Sequence, residues 1–215
     1  MIKIDANLIE KIKNNPCIAE ISSFPDAGTT SACIMLGSEL IEEDKAAAIL
    51  FSEFNTPGTE YINKLVKQSK APQLLTIQYR ADNTFFIPEI IGRLAPYTQY
   101  FIIDDFYNFI LYKNYTFIRE FMKRLRSLKQ EYGIVICFVN QIRNVIRTDN
   151  YTFNTDSDIK SLYFEHLEPF VDLRIVVSKD QHNDIYVNLI GEKKEEKASG
   201  LGQLLSRINW KLTKS

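Results

Sequence analysis

The sequence predicts an α/β protein built on a mostly parallel central sheet with helices on both faces. Three observations carry that expectation. The apolar runs, such as residues 46–54 (AAAILFSEF) and 134–139 (IVICFV), are short and continuous rather than alternating, the pattern of strands buried on both faces. They alternate along the chain with segments whose apolar residues recur at helical spacing, as parallel strands joined by crossover helices require. The chain has 215 residues, 45% hydrophobic and 25% charged, which suffices for one well-packed core.

The elements follow in order. Residues 1–15 carry Ile2, Ile4, Leu8, Ile9 and Ile12 and read as a short helix stopped by Pro16. A short strand over 18–21 runs into a turn-forming loop, Ser22 to Gly28, and then into a helix opened by Thr29 and Thr30. That helix reaches residue 43, with Cys33, Ile34, Leu36, Leu40 and Ile41 at helical spacing. Residues 46–54 form a buried strand with Ser52, Glu53 and Asn55 at its carboxyl end. Residues 61–69 read as an amphipathic helix, 73–79 as a strand, 85–94 as a helix and 99–104 as a strand. A long helix rich in Arg and Lys spans 117–132, a wholly apolar strand 134–139, and two further strands 171–178 and 185–190. Residues 191–200 (GEKKEEKASG) make a solvated loop. The stripe of Leu201, Leu204, Leu205, Ile208 and Trp210 packs on its own core or docks on a partner, the former being preferred. The expected organisation is a single domain over 1–215, with no separate amino-terminal DNA-binding domain.

Composition narrows the function classes. A net charge of -1 gives no global basic field, so nucleic-acid binding has to be local or shared with a partner. Cys17, Cys33 and Cys137 lie in apolar contexts without metal-ligand or disulfide spacing and read as small buried hydrophobes of a reducing compartment. No apolar run approaches the length of a membrane helix and residues 1–9 are too polar for a signal peptide, so the expected location is cytoplasmic, or nuclear in a eukaryote.

Residues 19–36 (AEISSFPDAGTTSACIML) hold the main chemical signal, strand, loop and helix in the manner of a phosphate loop. Against G-x-x-x-x-G-K-[ST], the window from Ser23 to Thr30 keeps Gly28 and the hydroxyl of Thr30 but has Ser23 for the first glycine and Thr29 for the lysine. Backbone N–H groups and a metal-holding hydroxyl remain, while the cation for the β/γ oxygens is gone and Asp26 adds a carboxylate. An ordinary strand-to-helix turn using Pro25 and Gly28 explains the same window, and taken alone the window favours it.

Further signals lie at strand ends. Residues 100–105 (YFIIDD) put Asp104 where a carboxylate at the sheet edge could hold the water shell of Mg²⁺; a plain helix-capping pair reads the same way. Asn140 and Gln141 end the apolar strand 134–139, where they could sense a terminal phosphate or simply make a common strand exit, and Glu53 ends the preceding strand, where a general base would polarise water but where helix caps and loop carboxylates are also frequent.

In that order, these pieces resemble the ATPase core of the RecA-like recombinases, nearest to archaeal and eukaryotic recombinases and their paralogues. The resemblance spans residues 16–190. Its most specific part is 121–141 (FMKRLRSLKQEYGIVICFVNQ), which resembles the family's helix, E-[FY]-G, apolar strand and N-Q. It implies a P-loop NTPase core in which Gly28, Thr29, Thr30 and Asp104 would bind ATP, with Thr30 and Asp104 on Mg²⁺, and in which Glu53 and Gln141 stand at catalytic positions, vestigial if activity is lost. Arg143 and Arg147 occupy the region of the family's DNA-binding loops, followed by Tyr151 and Phe153, although Asp149, Asp156 and Asp158 oppose binding there. His166 falls near the family's A-H-A. With the lysine missing, the implied function is a non-catalytic or weakly catalytic paralogue assisting homologous recombination, as homo- or hetero-oligomer, with a recombinase or another paralogue as partner and single-stranded DNA as a further ligand. The alternatives are an active DNA-dependent ATPase whose lysine comes from elsewhere, such as Lys45 or a neighbouring subunit, and a structural subunit of another RecA-like assembly. Retention of ATP and Mg²⁺ stays open at this point.

Overall fold

The protein is described from a computed structural model covering residues 1–23, 27–41, 46–52, 64, 66–67, 73–79, 85–104, 106–110, 113–144, 160–161 and 163–192. The strands are β1 (Ile2–Ile4), β2 (Ile18–Ser23), β3 (Ala46–Ser52), β4 (Leu74–Tyr79), β5 (Thr98–Ile103), β6 (Val135–Asn144), β7 (Lys160–Ser161), β8 (Leu173–Lys179) and β9 (Ile185–Glu192). The helices are α1 (Ala6–Asn14), α2 (Thr29–Leu40), α3 (Ile87–Leu94), α4 (Phe106–Ile110), α5 (Tyr115–Tyr132) and α6 (Phe164–Leu167), with a 3₁₀ turn at Glu168–Phe170. Among the described residues no helix is long and apolar enough to cross a membrane.

The sheet order is β1-β9-β8-β2-β6-β5-β3-β4, with β7 added antiparallel to the far end of β6. Every pairing along the main path is parallel except β8 with β9. The expectation of a mostly parallel sheet with helices on both faces therefore holds, closed on one side by an antiparallel hairpin. One apolar cluster joins the sheet to α1 and α2 through Ala19, Ile21, Ile49, Ile102, Cys137 and Ile175. The other joins it to α3, α4 and α5 through Ile18, Leu50, Phe101, Phe138 and Ile118. Adjacent residues on a strand go to opposite clusters, the period-2 rule of the pleat, which fixes the face of every strand residue below.

Local chemistry sets the ends. Asp5 caps α1 by accepting from the backbone N–H of Asn7 at 2.9 Å. Asn114 caps α5 by accepting from Phe117 N–H at 2.8 Å, and Gly133 closes it at φ 64. Helix α2 is buried around most of its circumference, where Gly37 lets Leu74 approach. Cys17, Cys33 and Cys137 are all buried free thiols, as their apolar contexts suggest, and burial pushes Cys137 up to about 12.

Two corrections concern secondary structure. The amino terminus is not helical throughout: Ile2 and Ile4 form β1 against β9, and the helix starts only after Asp5. The alternation of Ile2 and Ile4 was compatible with either period, and pairing with Ile185 and Val187 decides it. Strand β2 also continues past Ile21 to Ser23, because β6 and β8 supply register partners for Ser22 and Ser23. The expected helix over 61–69 lies almost wholly outside the described residues and the stripe 201–211 wholly so; of the expected loop 191–200, Gly191 and Glu192 instead continue β9, and the rest lies outside them.

Candidate functional site

Parallel strands bring their carboxyl ends to one edge of a sheet, and ligand sites of open α/β sheets form in the crevice outside that edge. Here β2, β6, β5 and β3 deliver Ser23, Gln141, Asp104 and Ser52 to it. Helix α2 begins there. Its cap residue Gly28 sits in the left-handed region at φ 77, which only glycine adopts without strain, and as a glycine it offers no capping side chain of its own. The first N–H groups of α2 therefore have no intrahelical partner, and the positive end of its dipole faces the edge.

Thr30, in the first turn of α2, donates its hydroxyl proton to Asp104 Oδ2 at 2.7 Å. Asp104 is 2% exposed. Its backbone is held as tightly: its N–H donates to Leu50 O at 2.7 Å, and its carbonyl accepts the hydroxyl of Tyr79 at 3.1 Å. Because Tyr100 and Ile102 face the α2 cluster, Asp104 continues the face that meets Thr30, whereas Tyr79 reaches its carbonyl from the opposite cluster. The acid is gripped from both sides of the sheet.

The expected site residues divide as follows. Gly28, Thr29, Thr30 and Asp104 come together at the start of α2. Gln141 lies opposite Ser23 in register, half-buried, on the α2 face. Asn140 does not join it, which corrects the expectation that both amides serve the site. Neighbours on a strand face opposite ways, so Asn140 turns to the α5 face and donates to Glu20 Oε1 at 2.8 Å. Glu53, Arg147 and Lys45 lie outside the described residues, as do Asp26, Tyr151 and Phe153; Arg143 belongs to β6, but its side chain is outside them too. His166 sits in α6, stacked on Tyr115 with ring centroids 4.0 Å apart. On the basic helix, Lys123 pairs with Glu120 at 2.6 Å on an exposed face, and the part-buried Lys129 pairs with Asp172 at 2.8 Å.

Donor chemistry tests whether a metal fits. Among the described residues no group of three or more His, Cys, Asp or Glu could hold one. A phosphate-bound Mg²⁺ asks less of the protein, one or two oxygen ligands with water and phosphate completing the shell. Thr30 meets that need, since its proton goes to Asp104 and its lone pairs remain. The residues present thus fit Mg²⁺ carried in with a phosphate ligand.

Sequence reasoning missed Glu20, Arg174 and Tyr79. A charged residue inside an apolar run, as in IAEIS and DLRIVV, was the available signal for the first two, because such a residue is buried only with a partner. Tyr79 gave none, its role depending on the β5-β3-β4 order. No family model matches the chain, and no curated protein matches it.

Proposed function

We propose that this chain is a non-catalytic or weakly catalytic subunit of the RecA-like recombinase type, assisting homologous recombination through protein partners and keeping its phosphate loop for binding rather than turnover. The observation that carries the reading is the Thr30–Asp104 hydrogen bond, formed in the first turn of α2 beside the left-handed Gly28. Oriented N–H groups and a helix dipole suit a phosphate. Mg²⁺ held by Thr30 and Asp104 would neutralise charge on that phosphate. Thr29 stands where a lysine would reach the β/γ oxygens, and a neutral hydroxyl forgoes a charge-assisted contact about twice as strong as a neutral one. Binding therefore survives the substitution better than hydrolysis does. Arg143 and Arg147 bring single-stranded DNA into the proposal on sequence grounds alone, and an oligomer with a recombinase or another paralogue is the partner it implies.

The test is the melting temperature of the purified chain with and without Mg-ATP and Mg-ADP, beside a hydrolysis assay. Ligand at a hundredfold excess over Kd stabilises by about 2.7 kcal/mol, on the order of 5–10 °C for a chain of this size. The expected result is a shift with both nucleotides and hydrolysis no faster than that of Asp104→Asn. Robust hydrolysis abolished by Asp104→Asn overturns the non-catalytic reading; no shift overturns the nucleotide site itself.

A further inference from the structure

The least expected side chain in the sheet is a carboxylate at its centre. Glu20 is 1% exposed on β2, the strand that leads into the loop. A buried charge carries a desolvation penalty of several kcal/mol, and apolar residues in its place often do as well or better for stability. Its surroundings suggest what else it does. Arg174, its register partner on β8, places Nε 3.5 Å from Glu20 Oε2. Glu20 Oε1 accepts from Asn140 Nδ2 at 2.8 Å, and Asn140 Oδ1 accepts from the backbone N–H of Gln141 at 2.9 Å. A carboxylate only accepts and a backbone N–H only donates, so the Asn140 amide fits between them in a single orientation.

The chain of contacts runs from Arg174 to Glu20 to Asn140 to the Gln141 backbone, across β8, β2 and β6. It lies on the face away from α2 and ends at the residue whose side chain returns to the α2 face. That residue sits at the last register pair of β2 and β6, Ser23 with Gln141, where the ladder is about to end. Apolar side chains could hold these strands together equally well. They could not take up the Gln141 N–H.

We propose that Glu20 is a positioning residue: through Asn140 it fixes the Gln141 backbone where β6 leaves its pairing with β2, and with it the placement of the Gln141 amide opposite Ser23 on the α2 face. The proposal deepens the nucleotide-site reading and rests on it.

The experiment measures the Mg-ADP-induced rise in melting temperature for the full chain and for Asn140→Ala, Glu20→Gln and Gln141→Ala. A merely structural network lowers the melting temperature with and without ligand alike and leaves the rise unchanged. Positioning predicts that Asn140→Ala and Gln141→Ala each cut the rise to less than half. Glu20→Gln keeps a carbonyl to accept from Asn140, so it retains most of the rise even though loss of the Arg174 pair lowers its melting temperature. A full rise in Asn140→Ala overturns the inference alone, as does a rise lost in Glu20→Gln as completely as in Asn140→Ala. Should Asn140→Ala not fold, a full rise in the half-buried Gln141→Ala overturns it instead. Absence of a rise in the unaltered chain overturns the nucleotide site, and the inference with it.

Discussion

The Thr30 hydroxyl and the Asp104 carboxylate meet at 2.7 Å, 74 residues apart in the chain, and this bond joins the first turn of α2 to the end of β5. A buried carboxylate that loses a donor keeps its desolvation cost and forfeits the bond. Thr30→Val preserves the branched shape and removes only the hydroxyl, so it should destabilise the chain by about 1–3 kcal/mol. Asp104→Asn still offers an oxygen to Thr30 and should cost less in urea unfolding. Under the proposed nucleotide site, its effect falls on Mg-nucleotide binding, which needs the charge. The reverse order of the two stabilities would mean that the bond contributes little to holding the edge.

Gly28 yields a second prediction, because two separate costs meet there. At φ 77 any residue with a Cβ is strained, by about 1–2 kcal/mol. An added Cβ would also come 2.5 Å from Cδ1 of Ile185, the first residue of β9. Gly28→Ala should therefore lower the melting temperature, and pairing it with Ile185→Val, which removes the offending methyl, should recover only the steric part. Full recovery would show that the backbone conformation costs nothing.

How far the sequence revealed this edge depended on whether a residue's role was local. The strand-loop-helix around Gly28 and the acid closing YFIID were legible because loop chemistry and strand-end position are fixed by neighbours in the chain. The division between Asn140 and Gln141 was not. It follows from the pleat once Phe138 and Val139 are assigned to opposite clusters, and the sequence VICFVNQ is apolar on both sides. Glu20 and Arg174 were visible as charges inside strands, but their pairing required β8 to lie beside β2, a neighbour distant in sequence. Strand β1 was missed for a similar reason, since a three-residue strand exists only because β9 offers it an edge.

The β1–β9 contact gives a prediction in pH. The amino-terminal ammonium of Met1, at 2.7 Å, and Lys3, at 3.0 Å, hold the Asp184 carboxyl below its ordinary value of 3.8. A carboxyl depressed in the folded state contributes stability above its unfolded value and loses that contribution as pH falls through the folded one. Protection of the Ile2–Ile4 amides from hydrogen exchange, corrected for intrinsic rate, should thus be flat near neutrality and decline below about pH 4, where Asp184 takes up its proton. Asp184→Asn should flatten that decline, and salt should weaken the contact at neutral pH, because exposed charges are screened. A decline unchanged in Asp184→Asn would assign it to another carboxylate.

Ser22 supplies the last prediction, and it runs against the usual direction of core substitutions. Its hydroxyl is buried on the Glu20 face of β2, in register with Asn140, and has no hydrogen-bond partner among the described residues. Asn140 instead spends its amide on Glu20 and on the Gln141 backbone. A buried hydroxyl without a partner costs about 1–3 kcal/mol of desolvation, and removing it trades that cost against a void the size of one oxygen. Ser22→Ala should be neutral or stabilising in urea unfolding, unlike Thr30→Val, although both delete a single hydroxyl at the same edge of the sheet. A clear loss of stability in Ser22→Ala would mean that a water joins this hydroxyl to the Glu20 network, and the network would then be one member larger than the chain of contacts from Arg174 to Gln141.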